Sequence, residues 1–179
     1  MQNTCEYSVS ARAISLFLLA VFAAGAAFAQ GNIDKIAKYA WSENAGWQNW
    51  RPTYGGVTVV SDGDNGYLSG YAWGENIGWV KLGVGAGPYI NTDAINYGVN
   101  MDAEGKLSGY AWSENCGWIN FCTTNSLDSP VTTNQVTITA GSFDGYAWAE
   151  NVGFIHFRNA PPAAYNVGIM PNGTIISVY

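Results

Sequence analysis

The sequence predicts an all-β fold made of tandem three-stranded repeats. Three observations carry this reading. A nine-residue motif recurs four times, 22 glycines accompany 8 Trp, 11 Tyr and 7 Phe, and short alternating apolar runs are separated by Gly, Asn and Asp turn signals.

The first thirty residues read as a leader. A polar start with Arg12 is followed by an apolar run from Ala13 to Phe28, ending in the small-residue pattern Ala27-Phe28-Ala29. That run is short for a membrane span, so residues 1–29 are expected to be a signal peptide and residues 30–179 a single β-repeat domain. The expected location is outside the cytoplasm: secreted, periplasmic or at the cell surface. Removing Glu6 and Arg12 with the leader leaves six Lys and Arg against twelve Asp and Glu. No basic stripe of the kind that tracks a phosphate backbone is present, which argues against nucleic acid as a partner.

The four motif copies begin at Tyr39, Tyr71, Tyr110 and Tyr146, with spacings of 32, 39 and 36 residues. They run Y-A-W-S-E-N-A-G-W, Y-A-W-G-E-N-I-G-W, Y-A-W-S-E-N-C-G-W and Y-A-W-A-E-N-V-G-F. Before three of them lies a further apolar run, at Val57–Val60, Tyr97–Met101 and Gln135–Thr139, so each unit reads as an entry strand, a middle strand and an exit strand. The E-N-x-G step makes the turn between the last two. Asn44, Asn76, Asn115 and Asn151 suit a turn through local hydrogen bonding and tolerance of a left-handed backbone, and Gly46, Gly78, Gly117 and Gly153 supply positive φ without steric cost. The residue between them, Ala45, Ile77, Cys116 or Val152, is apolar and expected to point into the core.

Strand parity assigns faces. In the exit strands Val80 with Leu82, Ile119 with Phe121 and Ile155 with Phe157 share the expected core side. Trp47, Trp79 and Trp118 fall on the other, beside Asn49, Lys81 and Asn120. Middle strands separate Tyr71 and Trp73 from Leu68, Gly70 and Ala72.

The first unit lacks an entry strand, whereas the chain ends with an extra one at Tyr165–Met170 and a strand-like Ile175–Tyr179. The ends can complete one another within one chain, closing a ring, or between chains, joining subunits head to tail. Units short for a four-stranded blade and unevenly spaced favour an open solenoid-like stack over a small propeller-like ring.

Tandem G-Y-A-W-x-E-N-x-G-W-I-x-F units resemble those of exported bacterial repeat proteins of uncharacterised function. The resemblance covers most of the chain after the leader and implies export and repetition, with no catalytic residue. The S-E-N-x-G-W turn is also loosely similar to the Asp-box hairpin of sialidase-type propellers. Ser42 and Ser113 fit that pattern and Gly74 and Ala149 do not.

Residue chemistry points away from an enzyme. Glu43, Glu75, Glu114 and Glu150 occupy the same local turn, whereas an acid-base pair needs two different environments. His156 is the only His and takes a slot held by Asn or Lys elsewhere, which suggests a surface strand residue. Neither a metal set nor a cofactor motif is recognisable, and Asp62–Gly66 reads as a polar hairpin turn rather than a calcium loop. Cys116 and Cys122 in an oxidising compartment favour a disulfide, but an extended run between them spans roughly 20 Å, beyond bridging distance. That pairing is left open.

The first functional expectation is a non-enzymatic structural or assembly protein, its partners being itself or other surface proteins. The alternative is a carbohydrate-binding module whose Trp47, Trp79 and Trp118 offer flat faces to sugar rings. A glycoside hydrolase comes a distant third.

Overall fold

The computed structural model describes residues 31–61, 64–125 and 132–170. The expected leader and the Ile175–Tyr179 strand lie outside the described residues.

Gly turns, β-branched runs and alternating burial give the strands the motif predicts. The first repeat holds β1 (Ile33–Ser42) and β2 (Gly46–Asn49); the second holds β3 (Gly56–Ser61), β4 (Gly66–Gly74) and β5 (Gly78–Lys81). The third holds β6 (Val99–Met101), β7 (Leu107–Ser113) and β8 (Gly117–Asn120), followed by a small ladder of β9 (Thr124–Asn125) and β10 (Thr132–Thr133). The fourth holds β11 (Thr137–Thr139), β12 (Ser142–Asp144), β13 (Tyr146–Ala149) and β14 (Gly153–His156), and the chain continues through β15 (Arg158–Asn159) and β16 (Tyr165–Ile169). The fold is all-β. Among the described residues no helix is long and apolar enough to cross a membrane.

Fourteen of these strands form one large antiparallel sheet. Within it the motif hairpins β1–β2, β4–β5, β7–β8 and β13–β14 lie edge to edge. Gln48 pairs with Gly74, Val80 with Ser113, Ile119 with Ala149, and, returning to the start, His156 with Trp41. The pairings therefore run in a circuit, although each junction is only one or two residue pairs long and the sheet is not a regular barrel. The sequence does not decide between an open stack, which it slightly favours, and a ring; the β1–β14 pairing joins the first and last hairpins. The hairpins are not radial propeller blades, because they hydrogen-bond to one another at their edges.

The physical reason lies in the ends of the domain. β16 pairs with β1, Ile169 opposite Ile33 and Val167 opposite Lys38, so the C-terminal segment supplies the entry strand that the first repeat lacks. β3 and β6 do the same for β4 and β7. Each unit then repeats one backbone bond: Trp50, Leu82, Phe121 and Phe157 donate their N–H groups to the carbonyls of Lys38, Gly70, Gly109 and Gly145, at 2.8, 3.1, 3.0 and 3.1 Å.

All four are buried, and three of them meet in the core. Trp50 packs against Phe157 at 5.0 Å and Phe121 at 6.3 Å between ring centroids, and Phe143 stacks on Phe157 at 5.9 Å. Contact between the first, third and fourth repeats places one shared core at the centre of the circuit. The Ala of each Y-A-W (Ala40, Ala72, Ala111, Ala147) and the apolar turn residues Ala45, Ile77, Cys116 and Val152 are buried around it. Removing each such large side chain from water contributes roughly 1.5–3 kcal/mol, which drives the repeats together. Close backbone contact needs Gly70, whose φ is +88° and whose Cβ, were one present, would collide with the Gly56 carbonyl oxygen.

Cys116 is buried and Cys122 is exposed. Cys116 occupies the inward turn position and no disulfide joins it to Cys122, so the pairing left open by the sequence is not formed. Burial also pushes the Cys116 thiol pKa up.

Candidate functional site

The outward face of each motif hairpin carries aromatic side chains because the parity that buries Ala and Val or Ile must expose their neighbours. Trp73 lies directly opposite Trp79, Trp41 opposite Trp47, Trp112 opposite Trp118, and Trp148 opposite Phe154. Trp73 and Trp79 meet edge to face at 5.0 Å, and Trp112 and Trp118 at 4.7 Å. The Tyr two residues earlier adds a second edge contact, Tyr71 to Trp79 at 6.2 Å and Tyr146 to Phe154 at 5.8 Å. Such contacts contribute about 0.5–1.5 kcal/mol each and hold the rings in fixed orientations. The rings remain accessible: Trp47, Trp79 and Trp118 are 40%, 42% and 41% exposed.

The turns are locked to one another. The Asn115 side-chain amide donates to the Ile77 carbonyl at 3.2 Å, Asn151 to Cys116 at 3.1 Å, and Asn44 to Val152 at 3.2 Å. Each Asn thus clasps the turn of the preceding repeat, and Asn44 clasps that of the last. None of these Asn residues has positive φ; the left-handed position belongs to the following Gly, at +69° in Gly46 and Gly78, +81° in Gly117 and +73° in Gly153. At these three positions the recurring Asn is therefore explained by a bond between repeats rather than by backbone tolerance. Ser42 and Ser113 add hydroxyl donors to the same Val152 and Ile77 carbonyls, at 3.4 and 2.7 Å. Where Gly74 and Ala149 replace them, that donor is missing.

Two grooves open on this aromatic surface. One, of about 790 Å³, lies between the second and third repeats, with Tyr71, Trp73, Trp79 and Lys81 on one side and Trp112, Glu114 and Asn115 on the other. The second, of about 770 Å³, lies between the fourth repeat and the first, with Tyr146, Phe154 and His156 facing Trp41, Glu43 and Asn44. Each is lined by a Tyr at or just before an entry strand: Tyr97 packs on Trp118 at 4.8 Å, and Tyr165 packs on Trp47 at 5.1 Å. Burial pushes the hydroxyl pKa of both Tyr97 and Tyr165 up, so both stay neutral hydrogen-bonding groups.

His156 takes the place that Lys81 holds in the other groove. Its ring stacks on Tyr146 at 4.1 Å with an interplanar angle of 5°, and its Nδ1 shares a hydrogen bond of 3.0 Å with the Tyr165 hydroxyl. Burial holds its pKa below the ordinary value, against an opposing pull from the Asp144 carboxylate.

The residues picked out from the sequence separate accordingly. Trp79 lines the first groove and Trp47 the second, while Trp118 lines a smaller cleft of about 360 Å³ with Asn91, Asp93 and Tyr110. Sequence reading missed the middle-strand Trp41 and Trp112, the Tyr97 and Tyr165 walls, and the position of His156. Parity separated the middle-strand Trp residues from Ala72 but left open which face was outward. The tyrosines carried a usable signal: each stands two residues before a buried Val, Val99 or Val167.

Each groove offers flat apolar rings with one carboxylate, Glu114 or Glu43, and Lys81 or His156 beside them; the first adds the amide of Asn115 and the second those of Asn44 and Asn159. Among the described residues no group of three His, Cys, Asp or Glu could hold a metal ion. Comparisons of the chain with protein-family models, curated proteins and solved structures return no match.

Proposed function

We propose that this chain is an exported, non-enzymatic carbohydrate-binding module that holds sugar rings in the grooves between its repeats. The observation that carries the reading is the groove between the second and third repeats, where Trp73, Trp79 and Trp112 surround Lys81, Glu114 and Asn115. Pyranose rings with equatorial hydroxyls present apolar C–H faces to such aromatic surfaces and polar edges to the charged and amide groups. Aromatic rings locked by cross-strand packing lose little freedom on binding, which favours affinity.

Two further features support binding over the other expectations. A single carboxylate lines each groove, whereas hydrolysis of a glycosidic bond ordinarily uses two, roughly 5 to 10 Å apart. Self-assembly was expected from ends that complete one another, and β16 is already paired with β1 inside one chain. Glycans of a cell surface or extracellular matrix are the partners of this reading, and the leader-like first 29 residues support a secreted, periplasmic or surface location.

The test is Trp fluorescence titration of residues 30–179 against a panel of oligosaccharides that includes cellohexaose and chitohexaose. Binding in the groove between the second and third repeats is expected to weaken by about tenfold or more in Trp79→Ala, with the β-strand circular dichroism retained. A flat response across the panel would overturn the proposal.

A further inference from the structure

Equivalent positions in the two grooves carry related side chains. Tyr71, Trp79 and Lys81 in the first correspond by motif position to Tyr146, Phe154 and His156 in the second. From the neighbouring repeat, Trp112, Glu114 and Asn115 correspond to Trp41, Glu43 and Asn44. The wall tyrosines correspond as well, since Tyr97 and Tyr165 each precede by two residues a fully buried entry-strand valine.

This likeness follows an alternation of the repeats. The first and third carry the Ser of S-E-N, as Ser42 and Ser113, and the wall tyrosine. The second and fourth replace that Ser with Gly74 and Ala149 and have Gly55 and Asn134 at the tyrosine position. The repeats thus form two similar pairs, and each pair builds one groove where the Ser-less repeat meets the next repeat of the circuit. Between the two grooves stand two hairpins in either direction around the circuit. The two grooves share no lining residue, so each is a separate site.

We propose that the two grooves are paired binding sites for one class of glycan, and that a single chain cross-links two glycan strands. This inference rests on the carbohydrate-binding reading above. Two sites on one rigid sheet turn the second capture on a glycan-coated surface into an intramolecular step, so that avidity there exceeds single-site affinity by about 10²–10⁴ when the geometry permits both.

The experiment has two readouts on residues 30–179. Isothermal titration with whichever of cellohexaose and chitohexaose binds gives the stoichiometry, and aggregation of beads coated with the same hexasaccharide reports cross-linking. The expected result is two hexasaccharides per chain and bead aggregation. Either Trp79→Ala or Phe154→Ala should leave one hexasaccharide bound per chain and abolish aggregation, while light scattering shows a monomer. One hexasaccharide bound per wild-type chain overturns the cross-linking inference and leaves the binding reading standing. That measurement needs no variant, so it decides even if a substitution unfolds the chain. Absence of binding to both hexasaccharides and to the rest of the panel removes both.

Discussion

The amide of Asn115 donates to the carbonyl of Ile77 at 3.2 Å, joining the turn of the third repeat to that of the second, and the Ser113 hydroxyl reaches the same oxygen at 2.7 Å. That carbonyl sits beside a buried side chain, so its hydrogen bonds have limited exchange with water. Asn115→Ala should therefore destabilise the fold by about 1–3 kcal/mol, and Asn115→Asp should not rescue it, because an ionised carboxylate has no proton to donate. Urea denaturation checks both. Midpoints equal to that of the parent would show that the clasp contributes nothing.

Gln48 presents the opposite case. It occupies the slot that holds Val80, Ile119 and Ile155 in the other repeats, is 1% exposed, and its Nε2 has no hydrogen-bond partner among the described residues. An unsatisfied buried amide costs about 1–3 kcal/mol, so Gln48→Leu, similar in size and apolar, should raise stability by about 1 kcal/mol or more. A lower thermal midpoint would mean that the amide is satisfied in solution.

Completion of the first repeat by β16 also has a measurable consequence. Val167 is fully buried and donates its backbone N–H to the Phe157 carbonyl at 3.2 Å. Val167→Asp should cost at least about 3 kcal/mol by burying a charge without a partner. If β16 were a loose appendage, the substitution would leave the cooperative unfolding of the rest unchanged. Monitoring Trp fluorescence during thermal melting separates the two outcomes.

His156 makes stability depend on pH. Its folded-state pKa lies below its ordinary value, so the unfolded chain takes up a proton first as pH falls. The contribution of the neutral ring is complete above about pH 6.5 and is lost as pH drops towards the folded-state pKa. His156→Asn, the residue at the matching positions 49 and 120, should flatten this part of the profile. Asp144 and Arg158 lie nearby and form an ion pair at 3.7 Å, so the difference between parent and variant, rather than the parent alone, isolates the imidazole. Identical profiles from about pH 4 to pH 8 would remove His156 as the cause.

Much of the fold was readable from local pattern. The strands, the inward Ala45, Ile77, Cys116 and Val152, and the half-exposed Trp47, Trp79 and Trp118 follow from a period of two and from turn chemistry, both of which act over a few residues. The clasping role of Asn was not readable in this way, because its acceptor is 38 residues earlier for Asn115 and 108 residues later for Asn44.

By itself the sequence determined an all-β chain of four similar hairpins with one aromatic face and one aliphatic face. Tertiary structure decided that His156 meets Trp41, that β16 covers β1, and that grooves form where the second repeat meets the third and the fourth meets the first. Open and cyclic orders bury the same faces of each hairpin and so share one sequence pattern. The difference lies in hydrogen bonds between the two ends of the domain, which no local period records.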